Sequence, residues 1–310
     1  MSKKMIRVGS RASALALTQT NWVIQQLKNI FPEILFEVVE IKTIGDKILD
    51  KTLNKIGGKG LFVKEIETAL LQNEIDMAVH SMKDVPTEMT EDLIIGAITE
   101  RENVTDVLIS KENKKLVELP YGVKIGTSSL RRAAQLLAYR PDLKIEPIRG
   151  NIATRIDKIE TLNLDGVILA AAGILRMGWQ DKITEYLSSD ICTPAVGQGA
   201  LGIQIRKNDN WMHEVVFRLN DDNVFTAVEA ERSFMRELKG GCHVPIGAYA
   251  WIKEEKLKMM TVVASPDGKK IIRLEKESHR GAYIQLGIDM AKESLEKGGL
   301  EILAEAEVEK

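Results

Sequence analysis

Cysteine is scarce in this sequence, which has two cysteines, Cys192 and Cys242, among its 310 residues. This excludes a disulfide-rich scaffold, and two thiols in a reducing compartment are poor evidence for even one disulfide. The spacing of histidine, cysteine and aspartate residues matches no common metal-ligand pattern, so we expect no metal site.

The sequence also lacks an excess of charge of one sign and a long apolar run. Lysine and arginine total 43 against 45 aspartates and glutamates, which gives a net charge of −2. We therefore expect no nucleic-acid partner and no attraction to an anionic membrane. The longest apolar run, residues 167–175, is too short to span a bilayer. The N-terminal sequence MSKKMIRVGS has no apolar segment of a secretory signal, so we expect the protein to be cytoplasmic.

What the sequence does contain is an alternation of strand-like and helix-like segments. The strand-like segments are residues 6–9, 35–41, 76–79, 93–98, 123–125, 144–148 and 167–169. The helix-like segments between them are residues 12–30, 61–71, 130–139 and 152–161. This alternation predicts the α/β class with largely parallel strands.

The pattern changes after Asp221, where a helix-like segment over residues 225–238 precedes three strand-like runs, residues 246–252, 256–264 and 270–276, and a final helix from Tyr283. This is typical of a separate α+β unit, and the chain length favours two or three domains. Residues 193–199, TPAVGQG, indicate a hinge or crossover. Residues 43–60 form a long, polar segment rich in glycine and lysine, which is typical of a mobile loop that is either functional or disordered.

Arginines follow several of the predicted strands. In RVGSRASALA, Arg11 lies where a strand ends and a helix begins, and the free N–H groups of that helix favour an anion. Arg149, Arg155 and Arg176 stand in similar places in EPIRGNIATRI and ILAAAGILRMG. Because the carboxyl ends of strands in open α/β sheets converge on one crevice, these arginines are predicted to line a cleft for a polyanion. Each of them taken alone is equally compatible with a solvated surface arginine.

The segment IGTSSLRRAAQL repeats this pattern with two adjacent arginines, Arg131 and Arg132. Thr127, Ser128 and Ser129 precede them and can cap the helix or donate to a carboxylate. Cations in the first turn of a helix oppose its dipole. Their presence predicts a compensating anion, and the alternative is that both side chains point into water.

The segment DMAVHSMKDVP places Lys83 and Asp84 just after a predicted strand. The two side chains are compatible with a surface ion pair, or with a cleft carboxylate that stabilises a cation formed during a reaction. In GGCHVPIGA, two glycines put Cys242 on a sharp turn. Cys242 is then either an inert small side chain or a reactive or modified thiol.

Together these segments resemble one family. The motifs GTSSLRR, IRGN, AVHSMKDVP, GGKGLFVKE, PAVGQGALGI and GGCHVPIGA occur in the order and spacing of porphobilinogen deaminases (hydroxymethylbilane synthases), over residues 7–250. The resemblance implies two lobes similar to those of periplasmic binding proteins and a small C-terminal α+β domain. The implied domains are residues 1–99 with 200–218, residues 105–193, and residues 222–310.

The resemblance also implies an activity and a cofactor. Members of the family join four porphobilinogen molecules into hydroxymethylbilane in tetrapyrrole biosynthesis, release ammonia and act as monomers. The implied cofactor is dipyrromethane, attached as a thioether to Cys242, and the implied catalytic residue is Asp84. A loop over residues 45–60 would cover the cleft. The residues implied to bind cofactor and substrate are Arg11, Ser13, Lys55, Lys59, Phe62, Ser81, Lys83, Thr127, Ser128, Ser129, Arg131, Arg132, Arg149, Gly150, Asn151, Arg155, Arg176 and Gln198.

Two other functions are compatible with parts of the pattern. A non-catalytic polyanion-binding module of the same two-lobed fold needs the arginines but neither Asp84 nor Cys242. An enzyme that uses Lys83 to form a Schiff base needs an apolar pocket that keeps the amine neutral, which the neighbouring Asp84 opposes. The sequence departs from the family at Lys239, at Gln204 and at His243, and none of these departures touches Asp84 or Cys242.

Overall fold

The structure is a computed structural model that describes residues 5–47, 63–239 and 244–308. Within these residues the chain divides into two compact units. The first unit contains residues 5–47, 63–102 and 199–225. The second contains residues 103–198, 226–239 and 244–308. The division into three domains stays a prediction.

The strands are distributed over three sheets. They are β1 (Met5–Arg11), β2 (Leu35–Ile41), β3 (Met77–Ser81), β4 (Leu93–Ile98), β5 (Asp106–Ser110), β6 (Lys124–Gly126), β7 (Lys144–Glu146), β8 (Gly166–Ala170), β9 (Glu185–Tyr186), β10 (Leu201–Arg206), β11 (Ile246–Lys253), β12 (Lys256–Ala264) and β13 (Ile271–His279).

The helices lie mostly between the strands. They are α1 (Ala14–Ile30), α2 (Ile44–Lys47), α3 (Lys64–Leu71), α4 (Leu130–Tyr139), α5 (Ile152–Thr161), α6 (Ala171–Arg176), α7 (Asn210–Phe217), α8 (Asp222–Glu237), α9 (Tyr283–Ser294) and α10 (Leu300–Val308). Among the described residues, no helix is long and apolar enough to cross a membrane.

The two five-stranded sheets have equivalent strand orders. The order β2-β1-β3-β10-β4 in the first unit corresponds, position by position, to β7-β6-β8-β5-β9 in the second. β1 is parallel to β2 and β3, and β6 is parallel to β7 and β8. One strand in each sheet, β10 or β5, runs antiparallel to both of its neighbours. The predicted α/β class with largely parallel strands is confirmed, with one reversed strand in each sheet.

The third sheet, β11-β12-β13, is antiparallel throughout and belongs to the second unit. Its inner face packs on α8 and α9 through a core that includes Phe234, Met259 and Met290, all fully buried. This confirms the predicted C-terminal α+β region.

Helices α1, α4 and α5 begin in the same way. Each follows a parallel strand. Each is capped by a side-chain oxygen that accepts a hydrogen bond from the backbone N–H of the residue three positions after the capping residue. The capping residues are Ser13, Ser129 and Asn151, which are all predicted site residues. Because each cap sits at the carboxyl end of its strand, strand, cap and helix together bring polar side chains to one edge of each sheet.

Candidate active site

The carboxyl edge of the first sheet brings Arg11 and Asp84 together. β1 ends at Arg11, and the parallel strand β3 ends at Ser81, where a single 3-10 turn, Met82–Asp84, follows. Arg11 Nη1 lies 3.9 Å from Asp84 Oδ2, and the two side chains are 23% and 36% exposed. The pair is therefore close enough for electrostatic attraction and still open to a ligand.

The hydroxyls beside this pair have different capacities. Ser13 Oγ accepts a hydrogen bond from Ala16 N at 3.3 Å, so its own hydrogen is still available to an anion. Ser81 Oγ donates its hydrogen to Gln19 Oε1 at 3.2 Å, so it can only accept from a ligand. Lys83 lies half-buried in the same turn as Asp84.

The carboxyl edge of the second sheet collects the other predicted segments. Residues 127–129 follow β6, residues 149–151 follow β7, and α6, which ends at Arg176, follows β8. These three strands are neighbours and are parallel. Ser128 Oγ donates to the carbonyl oxygen of Ile148 at 2.6 Å and so joins the first two loops.

The caps of α4 and α5 use oxygens that the sequence predicted as ligand donors or acceptors. Ser129 Oγ accepts from Arg132 N at 3.4 Å, and Asn151 Oδ1 accepts from Thr154 N at 2.9 Å. Thr127 Oγ1 accepts from Ser129 N at 3.2 Å. The hydroxyls of Thr127 and Ser129 each keep a hydrogen that a carboxylate can accept.

Arg149 has an unsatisfied donor. Its Nη1 is buried and has no hydrogen-bond partner within the structure, which is a costly state for a charged donor. The neighbouring Arg155 Nε donates to the Gly150 carbonyl oxygen at 2.8 Å. Gly150 has φ +111°, and a Cβ at this position would lie 2.7 Å from Thr154 Cγ2, so the loop needs glycine here. A carboxylate placed at Arg149 would satisfy the buried nitrogen.

Arg131 and Arg132 occupy a different environment, because both are buried against Asp106. Arg131 Nη1 donates to Asp106 Oδ2 at 2.7 Å and to the Thr193 carbonyl oxygen at 2.6 Å. Arg132 donates to Asp106 Oδ1 from Nη2 at 2.7 Å and from Nε at 3.0 Å. The alternative that both arginines point into water is wrong. The compensating anion that the sequence predicted is supplied by the chain itself, through Asp106.

The Asp106 carboxylate is the centre of a buried network. Burial alone would raise its pKa, but the charges and hydrogen bonds of Arg131 and Arg132 outweigh this and hold the pKa of Asp106 well below its usual range. Gln198 Nε2 donates to Asp106 Oδ1 at 3.0 Å. Cys192 Sγ donates to Oδ2 at 3.2 Å, and burial raises the pKa of this thiol to about 12, so it stays protonated.

Asp106 was missed by the sequence reasoning. The one signal available was an acid placed directly before the apolar strand residues VLI, where it begins β5. A fully buried carboxylate at the start of a strand needs cationic partners, but nothing near it in sequence shows which cations these are.

Four predicted site residues lie outside the described residues. They are Lys55, Lys59 and Phe62 in the segment between α2 and α3, and Cys242 in the segment between α8 and β11. Within the described ranges, no group of three or more histidine, cysteine, aspartate or glutamate side chains is arranged to hold a metal ion.

Two family models match the chain. The model described as "Porphobilinogen deaminase, dipyromethane cofactor binding domain" matches residues 6–214, and the model "Porphobilinogen deaminase, C-terminal domain" matches residues 225–296. The chain belongs to the porphobilinogen deaminase family. The porphobilinogen deaminase of Carboxydothermus hydrogenoformans is 55% identical over 303 residues, which cover 98% of this chain and 97% of that protein. The porphobilinogen deaminase of Bacillus subtilis is 56% identical over 272 residues and 87% of each chain.

Among solved structures, a double mutant of the BvgS VFT2 domain of Bordetella pertussis matches 68% of this chain and 84% of its own, with 12% identity and a TM-score of 0.41. A probable amino-acid ABC transporter extracellular-binding protein of Bacillus subtilis matches 69% of this chain and 88% of its own, with 11% identity and a TM-score of 0.40. The α/β fold of this porphobilinogen deaminase family member is shown by the strand order of its sheets and not by these likenesses.

Family membership confirms several predictions from the sequence. The chain is a transferase of the porphobilinogen deaminase type, with a cofactor-binding domain for dipyrromethane. The roles of the individual site residues stay predictions.

Proposed function

We propose that this chain joins four porphobilinogen molecules into hydroxymethylbilane, with Asp84 as the catalytic acid–base residue. The proposal is carried by the placement of Asp84 beside Arg11, partly exposed, at the carboxyl edge of the first sheet. The carboxyl ends of strands in open α/β sheets are where such proteins bind ligands.

Asp84 suits the charge that develops in this reaction. When ammonia leaves the aminomethyl group of porphobilinogen, positive charge spreads over the pyrrole ring. A carboxylate fixed nearby stabilises that charge, accepts a hydrogen bond from the pyrrole N–H and can carry a proton. Arg11 on its other side keeps the carboxylate oriented.

The substrate carries an acetate and a propionate, so a growing product becomes steadily more anionic. Arg149 is the residue best fitted to bind one of these carboxylates, because its buried Nη1 has no partner within the structure. In the second unit Arg155 and Arg176 also carry charge for such a carboxylate, and in the first unit Arg11 carries charge and Ser13 a hydroxyl hydrogen. Arg131 and Arg132 are shared with Asp106, so we propose that they bind ligand only with the donors that this carboxylate leaves open.

The same donor set fits the dipyrromethane cofactor, which bears the same kinds of carboxylate. When bound, this group supplies the pyrrole carbon to which each new unit is joined. We propose that Cys242 holds it through a thioether, as the family resemblance implies. In the sequence, Cys242 lies between α8 and β11.

The mass of the purified protein tests the cofactor. We expect wild-type protein, made with porphobilinogen available, to be heavier than its chain by two linked pyrrole units. Cys242→Ser should remove this increment, whereas Cys192→Ser should keep it, because the Cys192 thiol is buried and protonated. An unmodified wild-type mass would favour the non-catalytic polyanion-binding module.

Arg149→His is expected to raise the KM for porphobilinogen roughly 10- to 100-fold, because a hydrogen bond to a charged group contributes about 1.5–3 kcal/mol. The unfolding midpoint should not fall, since Arg149 Nη1 has no hydrogen-bond partner among the described residues. Steady-state kinetics and thermal unfolding measure both. Lys144→Gln on the exposed surface of β7 is the control and should change neither. An unchanged KM for Arg149→His would place this arginine outside the binding site.

The cytoplasmic location stays an expectation from the sequence, and the monomeric state stays an expectation from the family resemblance. Light scattering of the purified protein tests the second of these directly, and a mass of twice the chain would contradict it.

A further inference from the structure

Both ends of the segment that carries Asp84 are linked by hydrogen bonds to one carboxylate, that of Glu67 in α3. The later end bonds to it directly, and the earlier end is linked through Gln204. Glu67 is almost fully buried. Its Oε2 accepts a hydrogen bond from Thr90 Oγ1 at 2.7 Å, and its Oε1 accepts from Gln204 Nε2 at 2.9 Å. Gln204 Oε1 in turn lies 2.9 Å from His80 Nε2. His80 precedes Asp84 by one short turn, and Thr90 follows it before β4 begins.

Glu67 determines which atoms donate and which accept in the hydrogen bonds that run from Glu67 through Gln204 to His80. A carboxylate only accepts, so the Gln204 amide must turn its NH₂ group toward Glu67 and its oxygen toward His80. The His80 Nε2 atom must then carry a hydrogen and donate it to Gln204. Burial lowers the pKa of His80, which favours the neutral ring with this single assignment of donor and acceptor.

The start of the segment is also hydrogen-bonded to the residue that precedes β10. Met82 N donates to the Ala200 carbonyl oxygen at 3.0 Å. The Met82 side chain is buried against Gly202, where there is no room for a Cβ. Residues 200–206 and α3 therefore support residues 81–90, and Glu67 bonds both to Gln204, on the His80 side, and to Thr90.

We propose that Glu67 is a positioning residue that holds Asp84 in its working place by anchoring the start of the segment through Gln204 and His80 and its end through Thr90. The inference rests on the proposed role of Asp84. Glu67 itself touches no reacting atom. Displacement of a catalytic group by about 1 Å can cost on the order of 10²-fold in rate, so loss of both anchors should lower kcat.

The test compares variants of the holoenzyme. Glu67→Ala should lower kcat roughly 10- to 100-fold and leave the KM within about twofold, because the carboxylate-binding arginines are untouched. Glu67→Gln should recover most of the rate, since Gln can accept from Gln204 with its oxygen and donate to Thr90 with its nitrogen. Thr90→Val, which removes one anchor at an exposed position, should lower kcat by a few-fold and folds even where Glu67→Ala does not.

A stability control separates positioning from general weakening of the fold. Val23→Ala makes a cavity in a core cluster of the same unit that includes none of residues 81–90. It should lower the unfolding midpoint without changing kcat. Hydrogen–deuterium exchange over residues 81–91 should be faster in Glu67→Ala and Thr90→Val than in wild type, with α1 unchanged in both.

Three results would overturn the proposal: wild-type kcat in Thr90→Val and Glu67→Ala, a Glu67→Gln enzyme as slow as Glu67→Ala, or an equal loss of kcat in Val23→Ala. Asp84→Asn distinguishes these failures from a failure of the proposed function. If Asp84→Asn is slow while the Glu67 variants are fast, only the positioning role is wrong. If Asp84→Asn turns over normally, the role of Asp84 itself is wrong.

Discussion

Asp84→Asn is expected to lower kcat by about 10²- to 10³-fold, the usual cost of removing one preorganised electrostatic partner of a transition state. Asparagine has nearly the same size as aspartate, so the 3-10 turn Met82–Asp84 and the hydrogen bond from Met82 N to the Ala200 carbonyl oxygen should survive. What is lost is the negative charge beside Arg11 and the acceptor for a pyrrole N–H. The variant should still carry the cofactor, because attachment is proposed to depend on Cys242.

The measurement is steady-state turnover together with intact mass for the same preparation. Glu91→Gln is the matched control, since it removes one negative charge at an exposed position directly after residues 81–90. Its turnover should equal that of wild type. Full activity in Asp84→Asn, with the mass increment present, would remove the proposed catalytic role.

Asp106→Asn should destabilise the fold by about 3–5 kcal/mol, because removal of one partner from a buried ion pair leaves charge uncompensated in the interior. Asp106 is fully buried, and Arg131 and Arg132 both bond to it. Asparagine keeps the shape of the side chain but cannot balance two guanidinium groups. Urea unfolding followed by circular dichroism measures the loss.

The pH dependence of the same variant has a definite sign. The pKa of Asp106 is lower in the folded protein than its ordinary value. Its contribution is therefore complete above about pH 4 and is lost as the pH falls toward the folded-state pKa. Wild type should lose stability over this acidic range, and Asp106→Asn should lose less. Glu112→Gln, which breaks an exposed ion pair with Lys114, should change the unfolding midpoint little. An Asp106→Asn curve that coincides with wild type would refute the assignment.

Several elements were predictable because their signals are local. β2, β4, α4, α5 and β12 were predicted with the bounds that the structure has, since alternation or helical periodicity is clear and caps or prolines mark the ends. Other boundaries shifted by a few residues: the helix predicted over 225–238 is Asp222–Glu237. β5, β9, β10 and α7 were not predicted. β10 follows the glycine-rich crossover directly, and its partners β3 and β4 are more than a hundred residues away, so only tertiary pairing reveals it.

The same distinction applies to the site. The caps Ser13, Ser129 and Asn151 could be predicted, because strand, cap and helix are adjacent in sequence. The partner of Arg131 and Arg132 could not, because Asp106 reaches them from an earlier strand of the folded sheet. The buried hydrogen bonds from Glu67 through Gln204 to His80 join α3, β10 and β3. The spacing of these residues along the sequence does not predict them.

The position of β10 has a consequence for synthesis of the chain on the ribosome. The first sheet needs β10 between β3 and β4, but β10 is translated only after every strand of the second sheet. During translation the backbone groups of β3 and β4 that pair with β10 therefore stay unpaired, and they can pair wrongly with other strands. The second sheet can close first, and a nascent chain that stalls before Leu201 would be the species most in need of a chaperone.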